Sequence, residues 1–399
     1  MAAKSFSISL TAPDGLTRPL AAARAEVSSP SGGLVFVSGA MTQELDRIAE
    51  QVRAVWRNVP VAIVPGAGVL TERGEIEGAS AVAGLLWSGG RTSPFVLGPN
   101  DGGSAPKPPG EGAREGGSGS TAGVDEIAPS LRGASTVLVF ARSDCGPDVL
   151  ESVSAAAPRA CIFGAGTVGG SAVVLTAAGE PLRGRAAGIS IHGLAAPLVE
   201  SSAACRLVSP LRTVEETSAG LVLRIDGTPA LDLLSSCMPE IRGAAPADRP
   251  TQPQPVVFVA IAGPGGAGPD SERYVVRPVR GIDPTRRGVM VGPEVKPGSR
   301  LAFAVRDAPA ARAGLEAAAR TLSQQALGAA PRFAIYLTCA GRGQGLYGTP
   351  DVEARILRQR FGDLPIAGMH SAFEIIPWAA GEARLALYTG VLALFRSPS

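Results

Sequence analysis

Lysine is nearly absent: Lys4, Lys107 and Lys296 are the only three in 399 residues. None of them completes a G-x-x-x-x-G-K-[ST] loop, so the phosphate cradle of nucleotide hydrolases is missing. Arginine supplies the rest of the positive charge, and it is balanced, with 37 basic against 35 acidic residues and a formal charge of +2. No basic run forms a face that would gain from counterion release, which excludes nucleic acid as the expected partner. Histidine is scarcer still. His192 and His370 stand far apart with no H-x-H or H-E-x-x-H neighbour, so a multi-histidine metal site is excluded and no metal is expected. One histidine aided by carboxylates or cysteine is the lesser alternative.

The five cysteines, Cys145, Cys161, Cys205, Cys237 and Cys339, are odd in number and contain no C-x-x-C, which argues against a disulfide framework or a zinc site and for a reducing compartment. The start, MAAKSFSISLTAPDG, has no apolar core of signal-peptide length. No stretch reaches the roughly 18 uninterrupted apolar residues of a membrane span. The expected location is therefore the cytoplasm, away from the membrane. Also missing is a G-x-S-x-G elbow to present a serine nucleophile. Aromatics make up only 5%, against 51 glycines and 34 prolines, which favours short strands and many turns over helical bundles.

With 45% hydrophobic residues, the chain buries an ample core and has the length of two domains. Residues 34–38 (LVFVS) read as a buried strand, and Leu45, Ile48, Ala49, Val52 and Trp56 recur at helical spacing over 42–57 with Thr42 as cap. Strands follow at 61–64, 136–140, 160–163, 172–176 and 186–191, and an apolar run at 81–87 ends in Trp87. Between them, residues 98–130 have too little apolar side chain to offset ordering and are expected to form a disordered insertion. A second unit opens near Cys205, with strands at 220–225, 256–262, 273–279, 301–306 and 333–338. Its helices span 229–234, 309–327 and 350–361, the last capped by Thr349. The expected fold class is α/β or α+β: two lobes of mixed β-sheet with flanking helices, divided as 1–203 and 204–399.

Two stretches match G-x-G-x-x-G, Gly164 to Gly169 and Gly263 to Gly268, but each runs on into strand-like sequence instead of a helix whose amides would meet a pyrophosphate. Both are expected to be turns that bind no dinucleotide. The most site-like segment runs from Thr338 to Gly345, where a buried strand opens into a loop whose glycines permit close approach of a ligand. Within it Arg342 suits a carboxylate and Cys339 is either core or contact, while Gly343 lies on the loop floor. A second segment, Gly368 to Glu374, carries His370 and a Glu374 that needs a partner such as Arg342 if buried.

These residues resemble the FIST domain proteins over nearly the whole chain apart from the insertion. In the first half the likeness rests on LVFVS and VPGAGVLTERGEIEGASAVAGLLW, although Pro65-Gly66-Ala67 stands where the family often has Gly-Cys-Ser. In the second it rests on Cys205-Arg206, Ile225-Asp226-Gly227, Gly281-Ile282-Asp283-Pro284, Arg306-Asp307-Ala308, Cys339-Ala340-Gly341-Arg342-Gly343 and Tyr388-Thr389-Gly390. The resemblance implies a bacterial sensory module that binds a small ligand, an amino acid or other small anion, and performs no catalysis. Its expected site residues are Arg306, Asp307, Cys339, Arg342, Gly343, His370 and Glu374, with Arg306 or Arg342 holding the anionic group. No kinase, cyclase or methyl-accepting segment is present, so output is expected to pass through a downstream signalling protein. No cofactor is expected. The alternatives are an interaction adaptor without ligand, an enzyme using Cys339 or Glu374, and a haem-binding gas sensor resting on His192 or His370.

Overall fold

The protein is described by a computed structural model covering residues 2–98, 121–243, 256–263, 274–379 and 381–397. It is mixed α/β, as expected, and its chain falls into two compact units. The first comprises Met1–Ser201, Glu316–Leu385 and Gly390–Ser399; the second comprises Ser202–Leu315 and Ala386–Thr389. The first unit is therefore completed by residues far downstream of position 201.

In the first unit, one sheet runs in the order Ala3–Ser9, Ala81–Ser88, Pro30–Ser38, Val61–Pro65, Val173–Leu175, Pro181–Arg183. The helix Leu45–Val55 packs its Leu45, Ile48, Ala49 and Val52 onto this sheet's core, the stripe its 3.6-residue period dictates. Trp56 closes that core and donates its indole N–H to the Leu20 carbonyl at 2.9 Å. Thr42 is not the cap of this helix. It sits in a 3-10 turn, Gly39–Gln43, and its hydroxyl donates to the Gly39 carbonyl at 2.8 Å.

A second sheet orders Glu382–Ala386, Glu374–Ala379, Cys161–Gly166, Thr136–Ala141, Ala186–His192, Arg91–Leu97. After Gly166 the chain leads to the strand Val173–Leu175, with no helix opening in between. Glycine is needed at 164 because a Cβ there would lie 1.8 Å from the Val139 carbonyl oxygen. The other G-x-G-x-x-G stretch lies almost wholly outside the described residues, as do positions 99–120 of the expected insertion. The rest of that insertion is not irregular: Thr121–Leu131 is a helix that buries Ile127 and Leu131, four residues apart on one face.

The third sheet positions the candidate site. It places Thr389–Arg396, Pro331–Cys339, Ile366–Ser371, Gly68–Thr71 and Gly74–Glu77 side by side in that order. Pro331–Cys339 and Ile366–Ser371 are parallel, joined by the helix Val352–Phe361, and their register sets Thr338 against His370. Gly68–Thr71 runs antiparallel to Ile366–Ser371, with Gly68 opposite His370. Sequence-distant strands thus share a register, which propensity alone does not specify.

The second unit centres on a nine-stranded sheet, with Val257–Ala262 and Arg300–Arg306 paired antiparallel inside it. Phe258 packs edge-on against Tyr388 with ring centroids 4.7 Å apart, beside buried Cys205, Val276 and Ala304. The helix Ala230–Gly243 runs well past the expected end at 234. No helix among the described residues is long and apolar enough to cross a membrane.

Candidate functional site

A tight hairpin presents the first two acidic groups. Its turn enters Gly74 at φ 153°, a region that side chains rarely adopt, and a Cβ there would lie 2.9 Å from Asp351 Oδ1. The same Asp351 oxygen accepts the Glu75 amide at 2.6 Å. Beyond the turn, Glu75 and Glu77 project to one face of the strand because side chains alternate with a period of two.

Glu75 reaches the start of the helix Val352–Phe361. Its Oε1 accepts the backbone N–H groups of Glu353 at 2.9 Å and Ala354 at 3.0 Å. Thr349 is not the cap: the residue flanking the helix is Asp351, at φ 60°, and no side chain of that residue caps it. A carboxylate from another segment takes that role, satisfying two orphan amides at the positive end of the helix dipole.

Arg342 and Glu353 meet at 2.7 Å between Nε and Oε1, both with wholly buried side chains. Thr338 donates its hydroxyl to the other Glu353 oxygen at 2.9 Å, and the Tyr347 hydroxyl lies 2.7 Å from Oε1. Burial alone would raise the Glu353 carboxyl, but the Arg342 charge and the Tyr347 hydrogen bond outweigh it and hold the carboxyl below its ordinary value. Tyr347 goes the other way: burial, then the Glu353 charge, push its hydroxyl far up.

His370 points its Nε2 at Glu75 Oε2, 3.5 Å away, a charge contact longer than a good hydrogen bond. The residue is 1% exposed, and neither ring nitrogen has a hydrogen-bond partner. Burial pulls the imidazole down, yet Glu75, then Glu77 and Glu353, more than offset it, so His370 takes up a proton above its ordinary pKa. His192 contrasts with it. There Nε2 lies 2.9 Å from Ser190 Oγ and 3.1 Å from the Ser130 carbonyl, and burial with nearby Arg91 lowers the imidazole.

Glu77 is half-buried, and its Oε1 accepts the Gln344 amide at 2.9 Å. Its carboxylate lies so close to Gly343 that a Cβ there would stand 2.0 Å from Oε2. One oxygen or nitrogen from each of Glu75, Glu77 and His370 falls within 4.8 Å of the others.

Of the residues expected from sequence, Arg342, Gly343 and His370 converge on this cluster. Cys339 is buried at the end of the adjacent strand, with Ser371 as its register partner. Glu374 is wholly buried and lies 2.7 Å from Ser371 Oγ. Arg306 and Asp307 belong to the second unit. There the Arg306 guanidinium stands 5.6 Å from the Tyr388 ring centroid, and Asp307 Oδ1 accepts the Ala310 amide at 2.7 Å, capping the helix Ala308–Gln325. Sequence reasoning passed over Glu75, Glu77, Glu353 and Tyr347 as site residues. The alternating acids of Gly74-Glu75-Ile76-Glu77 were the available signal, because they mark one face of a strand.

The assembly holds three carboxylates, Glu75, Glu77 and Glu353, against one guanidinium and one imidazole. It is net negative even with His370 protonated. Such a cluster suits a cation or an ammonium group better than an anion, since the Arg342 charge is already matched internally.

A family profile described as FIST N domain matches residues 32–228, and one described as FIST C domain matches residues 230–377. Among curated proteins, an uncharacterized protein of Mycobacterium tuberculosis is 28% identical over 194 residues, 49% of this chain and 49% of that protein. An uncharacterized protein of Mycobacterium bovis is 29% identical over 213 residues, 52% of each. The chain spans about half the length of these curated relatives. Residues from both profile matches meet in the cluster: Glu75 and Glu77 from the first, Arg342, Glu353 and His370 from the second.

Proposed function

From the premise that this chain belongs to the FIST family, carrying both its N and C domains, we propose that it is a sensory module of signal transduction that binds a small cationic ligand. It works in the cytoplasm by binding, without a reaction of its own, and passes its state to a downstream signalling protein. The ligand is a metal ion or a molecule with an ammonium group, such as an amino acid, seated where the hairpin acids meet His370. The observation that supports this reading is the junction itself: the two family segments contribute opposite halves of one net-negative cluster that contains a buried imidazole without hydrogen bonds. Burying a polar group without a hydrogen bond is costly, and a cation seated between Nε2 and the hairpin acids would offset that cost.

A thermal-shift screen tests it. Amines, amino acids and divalent cations are expected to raise the melting temperature, because a ligand that binds only the native state stabilises by mass action, about 2.7 kcal/mol at a hundredfold excess over Kd. Dicarboxylates are expected to leave it unchanged. The Glu77→Gln variant is expected to fold and to lose the shift. Stabilisation by anions alone, or by nothing in the screen, would sink the reading.

A further inference from the structure

We propose that Glu75, Glu77 and His370 form a binding site for a divalent first-row transition-metal ion of the Zn²⁺ or Co²⁺ type. This inference rests on the cation-binding reading above and names the ligand's chemical class.

The imidazole is the first argument. His370 is 1% exposed, and both its nitrogens lack hydrogen bonds, although buried polar groups are almost always satisfied. A metal on Nε2 satisfies the nitrogen that faces Glu75. The 3.5 Å gap between Nε2 and Glu75 Oε2 agrees with the separation of about 3.4 Å between two ligands held tetrahedrally about 2.1 Å from an ion. The third ligand atom needs only a side-chain adjustment, since all three already lie within 4.8 Å of one another.

How the carboxylates are held is the second argument. Glu75 commits Oε1 to the amides of Glu353 and Ala354 and turns Oε2 to His370. Glu77 commits Oε1 to the amide of Gln344, which leaves Oε2 to ligate. Orienting bonds of this kind to the non-ligating atom are what fix metal ligands in place. The cradle is also cleared of side chains. A Cβ on Gly343 would stand 2.0 Å from Glu77 Oε2, and one on Gly68 would stand 2.9 Å from His370 Cδ2. The Glu75 side chain is buried with His370, so the half-buried Glu77 is the side from which an ion would enter.

The donor set selects the metal class. One imidazole nitrogen with two carboxylates suits borderline ions, whereas Mg²⁺ and Ca²⁺ prefer oxygen alone. Three protein ligands leave a coordination position open to water or to a small chelating molecule.

The test uses the full chain, stripped with EDTA and dialysed. Titration with Co²⁺ is expected to give visible d–d absorption that saturates at a single equivalent and is displaced by Zn²⁺. Glu77→Gln and His370→Gln are each expected to weaken binding at least about tenfold, the loss seen even for groups that only support a metal ligand. His192→Gln is expected to retain it. Should His370→Gln fail to fold, Glu77→Gln and the imidazole ¹⁵N resonance of His370, one of only two histidines, still decide the matter. A wild type without saturable absorption, or variants that bind as well as wild type, would overturn the metal site. If amines then still stabilise the protein, the sensory reading survives without the metal. If neither binds, both readings fail.

Discussion

Arg342 and Glu353 are both completely buried, so each neutralises a charge that the other could not leave unpaired. Arg342→Ala is expected to lower stability by about 3–5 kcal/mol in urea unfolding, while an Arg342→Leu/Glu353→Leu double variant should recover most of it. Sign and pH follow from the same pair. The Glu353 carboxyl is depressed in the folded state, so its contribution is present above its ordinary value of 4.5 and is lost as pH falls through the folded value. The stability gap between wild type and Glu353→Gln should therefore be widest near neutrality and narrow below pH 4.5, read from urea midpoints across a pH series. Gly343 acts differently. At φ −50° and ψ −146° its backbone lies outside the regions open to side chains, so Gly343→Ala should also cost folding energy. The new methyl would in addition push the Glu77 carboxylate aside, and Co²⁺ affinity of the folded variant is expected to fall at least about tenfold.

The helix Val352–Phe361 has the arginines Arg358 and Arg360 in its last turn, which suits its dipole, but no local side chain at its start. Glu75 supplies the cap from a hairpin 278 residues away in sequence. Glu75→Ala should cost about 0.5–2 kcal/mol, the range for a lost cap, and speed hydrogen exchange at the Glu353 and Ala354 amides. Glu75→Gln keeps an acceptor and should protect those amides better. Unchanged exchange in Glu75→Ala would show that the helix start is held by other means. The same hairpin illustrates how element and site were only half legible. Its alternating acids declare a shared face, yet nothing local says whether that face meets water, a helix or an imidazole.

The first compact unit draws residues 316–385 and 390–399 back to a body begun by the first 201. Gly68–Thr71 has Ile366–Ser371 as its sheet neighbour, and Cys161–Gly166 has Glu374–Ala379. A fragment ending at Ser201 would expose both as edges, which favours aggregation over folding. Such a fragment should lose cooperative unfolding in a thermal melt. Retention of a sharp, reversible transition would show that the first 201 residues are self-sufficient after all.

Strand and helix existence followed from local pattern: Leu45, Ile48, Ala49 and Val52 fall on one stripe, and runs such as LVFVS and FAIYLT are too apolar and β-branched to be anything but buried strands. Arg342, Gly343 and His370 were legible too, because a charge, a glycine and an imidazole after apolar strands need a reason to be there. The partners were not. Arg342 meets Glu353, which local sequence presents as an ordinary acid in a first helical turn, and His370 meets Glu75, 295 residues earlier, through a register that one slipped residue would reverse. Sequence fixes which groups a chain can offer, since side-chain chemistry and period are local. Which of them share one low-dielectric space is decided by the packing of distant strands, and that packing alone brings ligand atoms of Glu75, Glu77 and His370 within 4.8 Å of one another.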